Sequence, residues 1–294
     1  MLAYLIYRAG SYFSRVLPWR LPEAIAWTIG QVSCLTRRKT RRNVEGNLQL
    51  IHGGALSGRD ARRMSRRVIM NFSRAILVFL RLPTYRWETL KKRVDFEDLK
   101  AAVATLGERP AFLLASLHMG PWELGGLCLI RYGFKIHTVS LEHPTRQVTD
   151  FFDRRRSSIG IINHPIRKSY SVLKEALQKG DSVALLVDRA YGATSKRFDF
   201  FGVSHRFPMG HLMLAASTGV PVLTGAVVFD GDDGYKYVHG GVHHPPKEGT
   251  EDFDKLERMQ MACLRDFEAI IKRYSEQWFQ FYPLEDALEG EYGD

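Results

Sequence analysis

Residues 112–126 read FLLASLHMGPWELGG. An apolar run, Phe112 to Leu117, ends on His118; Gly120 and Pro121 make a turn, and Glu123 opens the segment that follows. A short continuous apolar run bounded by turn residues is the pattern of a buried strand. Proline at a first helical position predicts a helix over 121–130, PWELGGLCLI. Strand, turn and helix therefore succeed one another within twenty residues.

The same alternation continues toward the C-terminus. Strand patterns are expected at 135–141 (KIHTVSL), 181–188 (DSVALLVD, ending on Asp188) and 220–229 (VPVLTGAVVF). Helices are expected at 150–158 (DFFDRRRSS), 169–180 (with Gly180 as C-cap signal), 210–219 and 254–274. DGDDG at 230–234 is turn chemistry leading into YKYVHGG, and QWFQFY at 277–282 reads as a last short strand. Alternating strands and helices predict an α/β fold, a mainly parallel central sheet flanked by helices. Toward the N-terminus the pattern is helical. Met64, Val68, Phe72, Ile76 and Phe79 recur every three or four residues, and Pro83 supplies a stop. No linker interrupts the chain, so residues 1–93 are expected as a helical N-terminal region and 94–294 as the α/β core, together one structural domain.

With 294 residues, 45% of them hydrophobic, the chain can bury a sizeable core. Its net charge of +10 is unevenly spread. Residues 1–93 hold 19 Lys or Arg against 4 acidic residues, a balance of +15, and the rest sums to −5. The first third is thus expected to face something anionic, such as nucleic acid, an acidic protein or phospholipid headgroups. Three distant cysteines, Cys34, Cys128 and Cys263, predict neither a disulfide framework nor a zinc site, and a reducing compartment is expected. The longest uncharged N-terminal stretch, 24–36, is shorter than the roughly 20 apolar residues of a spanning helix, and the layout is not that of a cleavable signal peptide. Its aromatic, basic-flanked composition fits a segment lying in a membrane interface, or an ordinary amphipathic helix packed on the core.

His118 and Glu123 form an H-x4-E pair, but so do His137/Glu142 and His243/Glu248, so the spacing alone decides nothing. Context separates them. His137 and Glu142 fall on opposite faces of a strand pattern, and His243 lies in Pro-rich sequence. Only His118 follows the carboxyl end of an apolar strand, where the ligand crevices of parallel sheets open. A turn there can bring Glu123, at a helix start that favours its charge, back to the imidazole, leaving the other ring nitrogen as a general base. The alternative is a structural histidine satisfied by a local glutamate. Asp188, at the end of another strand, is either a second polar group in that crevice or a turn-capping aspartate. The arginines at 154–156 could bind a phosphate or stabilise an oxyanion, or form a solvated helix face. A catalytic metal lacks H-E-x-x-H spacing, a serine nucleophile lacks its G-x-S-x-G elbow, and the paired glycines at 125–126 and 240–241 are too bare for phosphate loops.

Taken in order, RRKTRRNVEGNLQL, LLASLHMGPWELGG, DFFDRRRSSIG, LKEALQKGDSVALLVDRAYG and QWFQFY make the chain resemble the bacterial lipid A late acyltransferases. These form the lauroyl/myristoyl group of the lysophospholipid acyltransferase superfamily, whose fold is glycerol-phosphate-acyltransferase-like. The resemblance implies transfer of a fatty acyl group from a thioester, on acyl carrier protein or coenzyme A, to a hydroxyl of a membrane glycolipid at the cytoplasmic face of the inner membrane. It implies His118 as general base, Glu123 as its partner, and Arg156, Asp188, Tyr191 and Gly192 as substrate-binding residues. The usual Asp-x-Asp reads Asp188-Arg189-Ala190, which leaves the acceptor open, and the missing Phe-Pro-Glu-Gly segment argues against a phosphatidic-acid synthase. One histidine base suffices for attack on a thioester, with oxyanion donors expected from the backbone near Met119 and Gly120 or from an arginine. No cofactor or metal is required, and no nucleic-acid partner is expected. The alternatives are a lysophospholipid acyltransferase, a hydrolase of the same fold, and a non-catalytic basic membrane-binding protein.

Overall fold

A computed structural model describes residues 2–17, 20–107, 110–190, 194–246 and 253–284. The N-terminal third is helical, with α1 (Leu2–Val16), α2 (Arg20–Thr36), α3 (Arg38–Ile51), α4 (Gly58–Arg81) and the short α5 (Trp87–Leu90). The α4 helix starts at Gly58 because the Ser57 hydroxyl accepts the Asp60 N–H and the Asp60 charge lies in the first turn. Its C-terminal half is buried at Ala75, Leu77, Val78, Phe79 and Leu80, and a 3₁₀ turn at Leu82–Thr84 follows.

The remainder runs β1 (Val94–Asp95), α6 (Glu97–Ala104), β2 (Leu113–Ser116), α7 (Trp122–Arg131), β3 (Ile136–Ser140), α8 (Arg146–Ser158), β4 (Ile162–Pro165), α9 (Ser169–Gln178) and β5 (Ser182–Leu186). It continues with the hairpin β6 (Ser195–Phe200) and β7 (Val203–Pro208), then α10 (Gly210–Thr218), β8 (Val222–Asp230), β9 (Gly234–His243) and α11 (Phe253–Arg273). Seven strands form one sheet in the order β1-β9-β8-β2-β5-β3-β4. Strands β8, β2, β5, β3 and β4 are mutually parallel; β9 returns antiparallel to β8, and β1 runs parallel to β9. The expected α/β fold with a mostly parallel, helix-flanked sheet is the one observed.

β2 is central and covered on both faces, which is why its sequence is apolar without alternation: Leu113, Leu114 and Ala115 are buried, as are the flanking Phe112 and Leu117. Each large side chain of this kind contributes roughly 1.5–3 kcal/mol by leaving water. One continuous hydrophobic core joins Val44, Leu48 and Phe79 of the N-terminal helices to Leu113, Leu127 and Val227 of the α/β region. The Gly125-Gly126 pair has a packing explanation. A Cβ on Gly125 would lie 2.9 Å from the Val227 side chain, and one on Gly126 would lie 2.6 Å from Ile161. These glycines let α7 approach the sheet.

The expected strand at 277–282 does not form. A single bridge joins Trp278 to Met119, preceded by a 3₁₀ turn at Ser275–Gln277. Side chains take over the backbone bonding: the Gln277 carboxamide accepts the Phe229 N–H at 2.7 Å and donates to the Phe229 carbonyl at 3.0 Å. Farther along, Asn43 donates to the Phe281 carbonyl, Asn47 donates to those of Gln280 and Tyr282, and the Asn47 carbonyl accepts the Leu284 N–H. The segment is a strap tied to α3 at one end and to the end of β2 at the other. The edge strand β4 and the β6/β7 hairpin were not expected. That hairpin turns at Phe201-Gly202, both at positive φ (54° and 78°), as a two-residue hairpin turn requires.

Candidate active site

The parallel register of β2 with β5 pairs Leu113 with Val183 and Ser116 with Leu186. Continued two residues beyond both strands, the same offset sets His118 beside Asp188. Here the carboxylate meets the imidazole. His118 Nδ1 lies 2.7 Å from Asp188 Oδ1, and the His118 backbone N–H donates to Asp188 Oδ2 at 3.0 Å. Trp278 Nε1 donates to the same Oδ2 at 2.9 Å. Asp188 is buried, whereas the His118 side chain keeps 22% of its surface exposed.

Burial would raise the Asp188 pKa, but the His118 charge and hydrogen bond, with Arg189 and Trp278, outweigh it and hold the carboxyl well below its usual range. For His118, burial lowers the pKa, the Asp188 charge opposes it, and the Arg189 charge reinforces it; the balance falls below the ordinary histidine value. At neutral pH the pair is thus an aspartate and a neutral imidazole. The aspartate accepts the Nδ1 proton, so the Nε2 lone pair is the basic site.

Glu123 is not the carboxylate on His118, as the sequence led us to expect. It stands in the first turn of α7 and is gripped by Arg156 of α8. Arg156 Nη2 lies 2.6 Å from Glu123 Oε1, and Nε lies 3.0 and 3.3 Å from Oε1 and Oε2. A forked guanidinium on a partly buried carboxylate outcompetes a neutral imidazole for it. Burial lowers the Arg156 pKa, and the Glu123 charge and hydrogen bond more than reverse the effect. The three arginines of 154–156 point to three different fates. Arg154 is exposed, Arg155 is buried against the Leu80 carbonyl and the Ser11 hydroxyl, and Arg156 enters the site.

The backbone donors expected at Met119 and Gly120 are engaged. The Met119 N–H bonds to the Leu117 carbonyl at 2.7 Å and the Gly120 N–H to the Gln277 carbonyl at 2.9 Å, so neither faces a ligand. Gly120 is required on other grounds: its φ is +49°, and a Cβ there would lie 2.2 Å from the Val227 carbonyl oxygen. Tyr191 and Gly192 lie outside the described residues. The sequence reading missed Trp278, whose indole completes the Asp188 shell, and Arg189, which donates to the Phe279 carbonyl at 3.0 Å. The neighbouring Asp188 hinted at the second, and the QWFQFY block hinted at the first without giving it a role.

His118, Glu123, Arg156 and Arg189 line a cavity of about 1510 Å³. It extends between α1, α2 and α4, past Phe13, Ile25, Ile29 and Ile76, to Arg37 and Lys39 at the start of α3. Its walls are mostly apolar and its polar groups converge near the strand ends, the usual layout of a small-molecule site in a parallel sheet. Among the described residues no helix is long and apolar enough to cross a membrane. The large exposed apolar side chains are nevertheless concentrated on α1 and α2, among them Leu5, Ile6, Phe13, Trp27, Ile29 and Leu35.

Parts of the chain resemble curated mycobacterial proteins. A phosphatidylinositol mannoside acyltransferase of Mycolicibacterium smegmatis is 26% identical over 207 residues, 69% of this chain and 66% of that protein. One of Mycobacterium tuberculosis is 30% identical over 161 residues, 51% of this chain and 50% of that protein. The chain therefore spans between half and two thirds of the length of these relatives. The sequence profile of the family described as bacterial lipid A biosynthesis acyltransferase matches residues 1–284, the blocks around His118, Arg156, Asp188 and Trp278 included. The chain belongs to the bacterial lipid A biosynthesis acyltransferase family.

Proposed function

We propose that the protein transfers a fatty acyl group from an acyl thioester to a hydroxyl of a membrane glycolipid. The observation that carries this reading is the His118–Asp188 pair, with His118 on the wall of a large, mostly apolar cavity. The acceptor hydroxyl loses its proton to His118 Nε2 as its oxygen attacks the thioester carbonyl. Asp188 holds the imidazole in the reactive tautomer and offsets its charge once it is protonated. Collapse of the tetrahedral intermediate expels the thiolate, which takes the proton back from His118. No acyl-enzyme is needed, because a thioester held against an oriented alcohol is activated enough for direct attack. Glu123 and Arg156, locked together on the cavity wall, contact the substrates.

Family membership supports acyl transfer, and the names of the mycobacterial proteins support a glycolipid acceptor. A lipid A precursor and an inositol mannoside share the features that matter here, a sugar hydroxyl on a membrane-embedded lipid. The strongly basic first third favours an acidic acyl carrier protein over coenzyme A as donor. The exposed apolar faces of α1 and α2 with their flanking arginines favour a peripheral seat on an anionic bilayer, at the cytoplasmic face of the inner membrane.

Mass spectrometry of a reaction containing labelled acyl thioester and either glycolipid tests the proposal. An acceptor heavier by one ester-linked acyl group is expected. Labelled free fatty acid alone would make the protein a hydrolase, and an unchanged thioester would remove the proposal.

A further inference from the structure

The attack written above turns the thioester carbonyl oxygen into an oxyanion inside a cavity with apolar walls, where its stabilisation is usually the largest single contribution to rate. The two nearest backbone donors, at Met119 and Gly120, are consumed by the fold. Among the described residues three arginines line the cavity: Arg37 at the start of α3, Arg156, and Arg189, whose charge acts on His118. Arg156 has its charge matched and its fork occupied by Glu123. Arg189 makes no hydrogen bond to a carboxylate among the described residues.

The Asp188 carboxylate next to Arg189 in sequence is filled by His118 twice and by Trp278, so Arg189 forms no hydrogen bond with it. One Arg189 bond goes to a neutral group, the Phe279 carbonyl, and its buried Nε has no partner. The Phe279 N–H in turn donates to the His118 carbonyl at 2.9 Å, so the strap fixes this guanidinium one residue from the base. A half-buried guanidinium whose buried Nε donor is idle is costly unless the reaction uses it. Resting on the acyl-transfer reading, we propose that Arg189 is a catalytic residue whose guanidinium donates to the thioester oxyanion.

The test is the pH profile of kcat for wild type, Arg189→Met and Arg189→Lys with the same acyl thioester and glycolipid. Because the Arg189 charge helps to keep His118 unprotonated, Arg189→Met moves the acid limb to higher pH whatever else Arg189 does. The oxyanion role predicts in addition that the plateau above that limb falls by about 10²–10³-fold with little change in KM. Arg189→Lys, which keeps the charge, retains the acid limb and recovers part of the plateau. A methionine variant that regains the wild-type plateau at high pH would overturn the proposal, leaving Arg189 as a modulator of His118. Should that variant lose its fold, Arg189→Gln keeps an N–H for the Phe279 carbonyl and is judged on the same plateau. Wild type run alongside separates the two ideas. If wild type transfers no acyl group the underlying reading fails, whereas full transfer in the variant removes Arg189 alone.

Discussion

Asp188 accepts three hydrogen bonds, two from His118 and one from Trp278, and both its oxygens are used. Asp188→Asn leaves the shape but offers an amide N–H toward Nδ1, which favours the wrong imidazole tautomer. We predict a fall in kcat of about 10⁴-fold with the fold retained, the size of the corresponding change in serine proteases. The Asp188 charge raises the His118 pKa, so the acid limb of the residual activity should move to lower pH. Native Asp188, with its depressed pKa, contributes stability that is present above the unfolded carboxyl pKa of about 4 and is lost below it. His211 sets a second pH dependence. Burial pushes its pKa down to about 4 from 6.5, so the unfolded state binds the extra proton first and stability drains away as pH falls through that window. The loss approaches about 3 kcal/mol at the acid end. His211→Leu should therefore flatten Tm between pH 7 and pH 5; a variant as acid-sensitive as wild type would contradict this.

At the level of elements, much was legible. The run before His118 could only be a buried strand, Pro121 and Glu123 announced α7, Gly180 sits at φ +87° just past α9, and Gly219 takes the left-handed C-cap of α10. What could not be read was which strands touch. β2 and β5 are neighbours although β3 and β4 intervene in sequence, and that crossover alone decides that His118 meets Asp188. Local proximity pointed to Glu123, five residues away, and a residue 33 positions on, Arg156, claimed it instead. The β6/β7 hairpin had its signal in Phe198, Phe200 and Gly202 and went unread. The strap at 277–284 is held largely by side chains, a bonding pattern without periodicity. Asn47 is its buried anchor, donating to two carbonyls and accepting one N–H. Asn47→Leu should cost about 1–3 kcal/mol by chemical denaturation, because it leaves buried backbone groups unpaired. Activity should fall at temperatures where the variant is still folded, since the strap carries Trp278 to Asp188. Undiminished activity would show that the strap does not position the site.

Across the whole molecule, the charge asymmetry of the sequence has a place in the structure. The exposed Arg38, Lys39 and Arg42 lie on α3, where Lys39 lines the cavity together with apolar residues of α1 and α2. If this side rests on an anionic bilayer, each of these cations contributes about 1 kcal/mol. Replacing all three with alanine should weaken binding to vesicles containing anionic lipid by about 10²-fold and leave binding to neutral vesicles little changed. Equal loss on both vesicle types would assign the face another partner. The apolar cavity, the basic rim and the His118–Asp188 pair then form one path from bilayer to chemistry. All of this chemistry depends on His118 as the base. Single-turnover transfer from a labelled acyl thioester to a glycolipid, wild type against His118→Ala at matched thermal stability, tests it most directly. A labelled glycolipid ester is expected with wild type, a rate lower by about 10²–10⁴-fold with the variant, and no acyl-enzyme in either. A His118→Ala protein that transfers at close to the wild-type rate would contradict it.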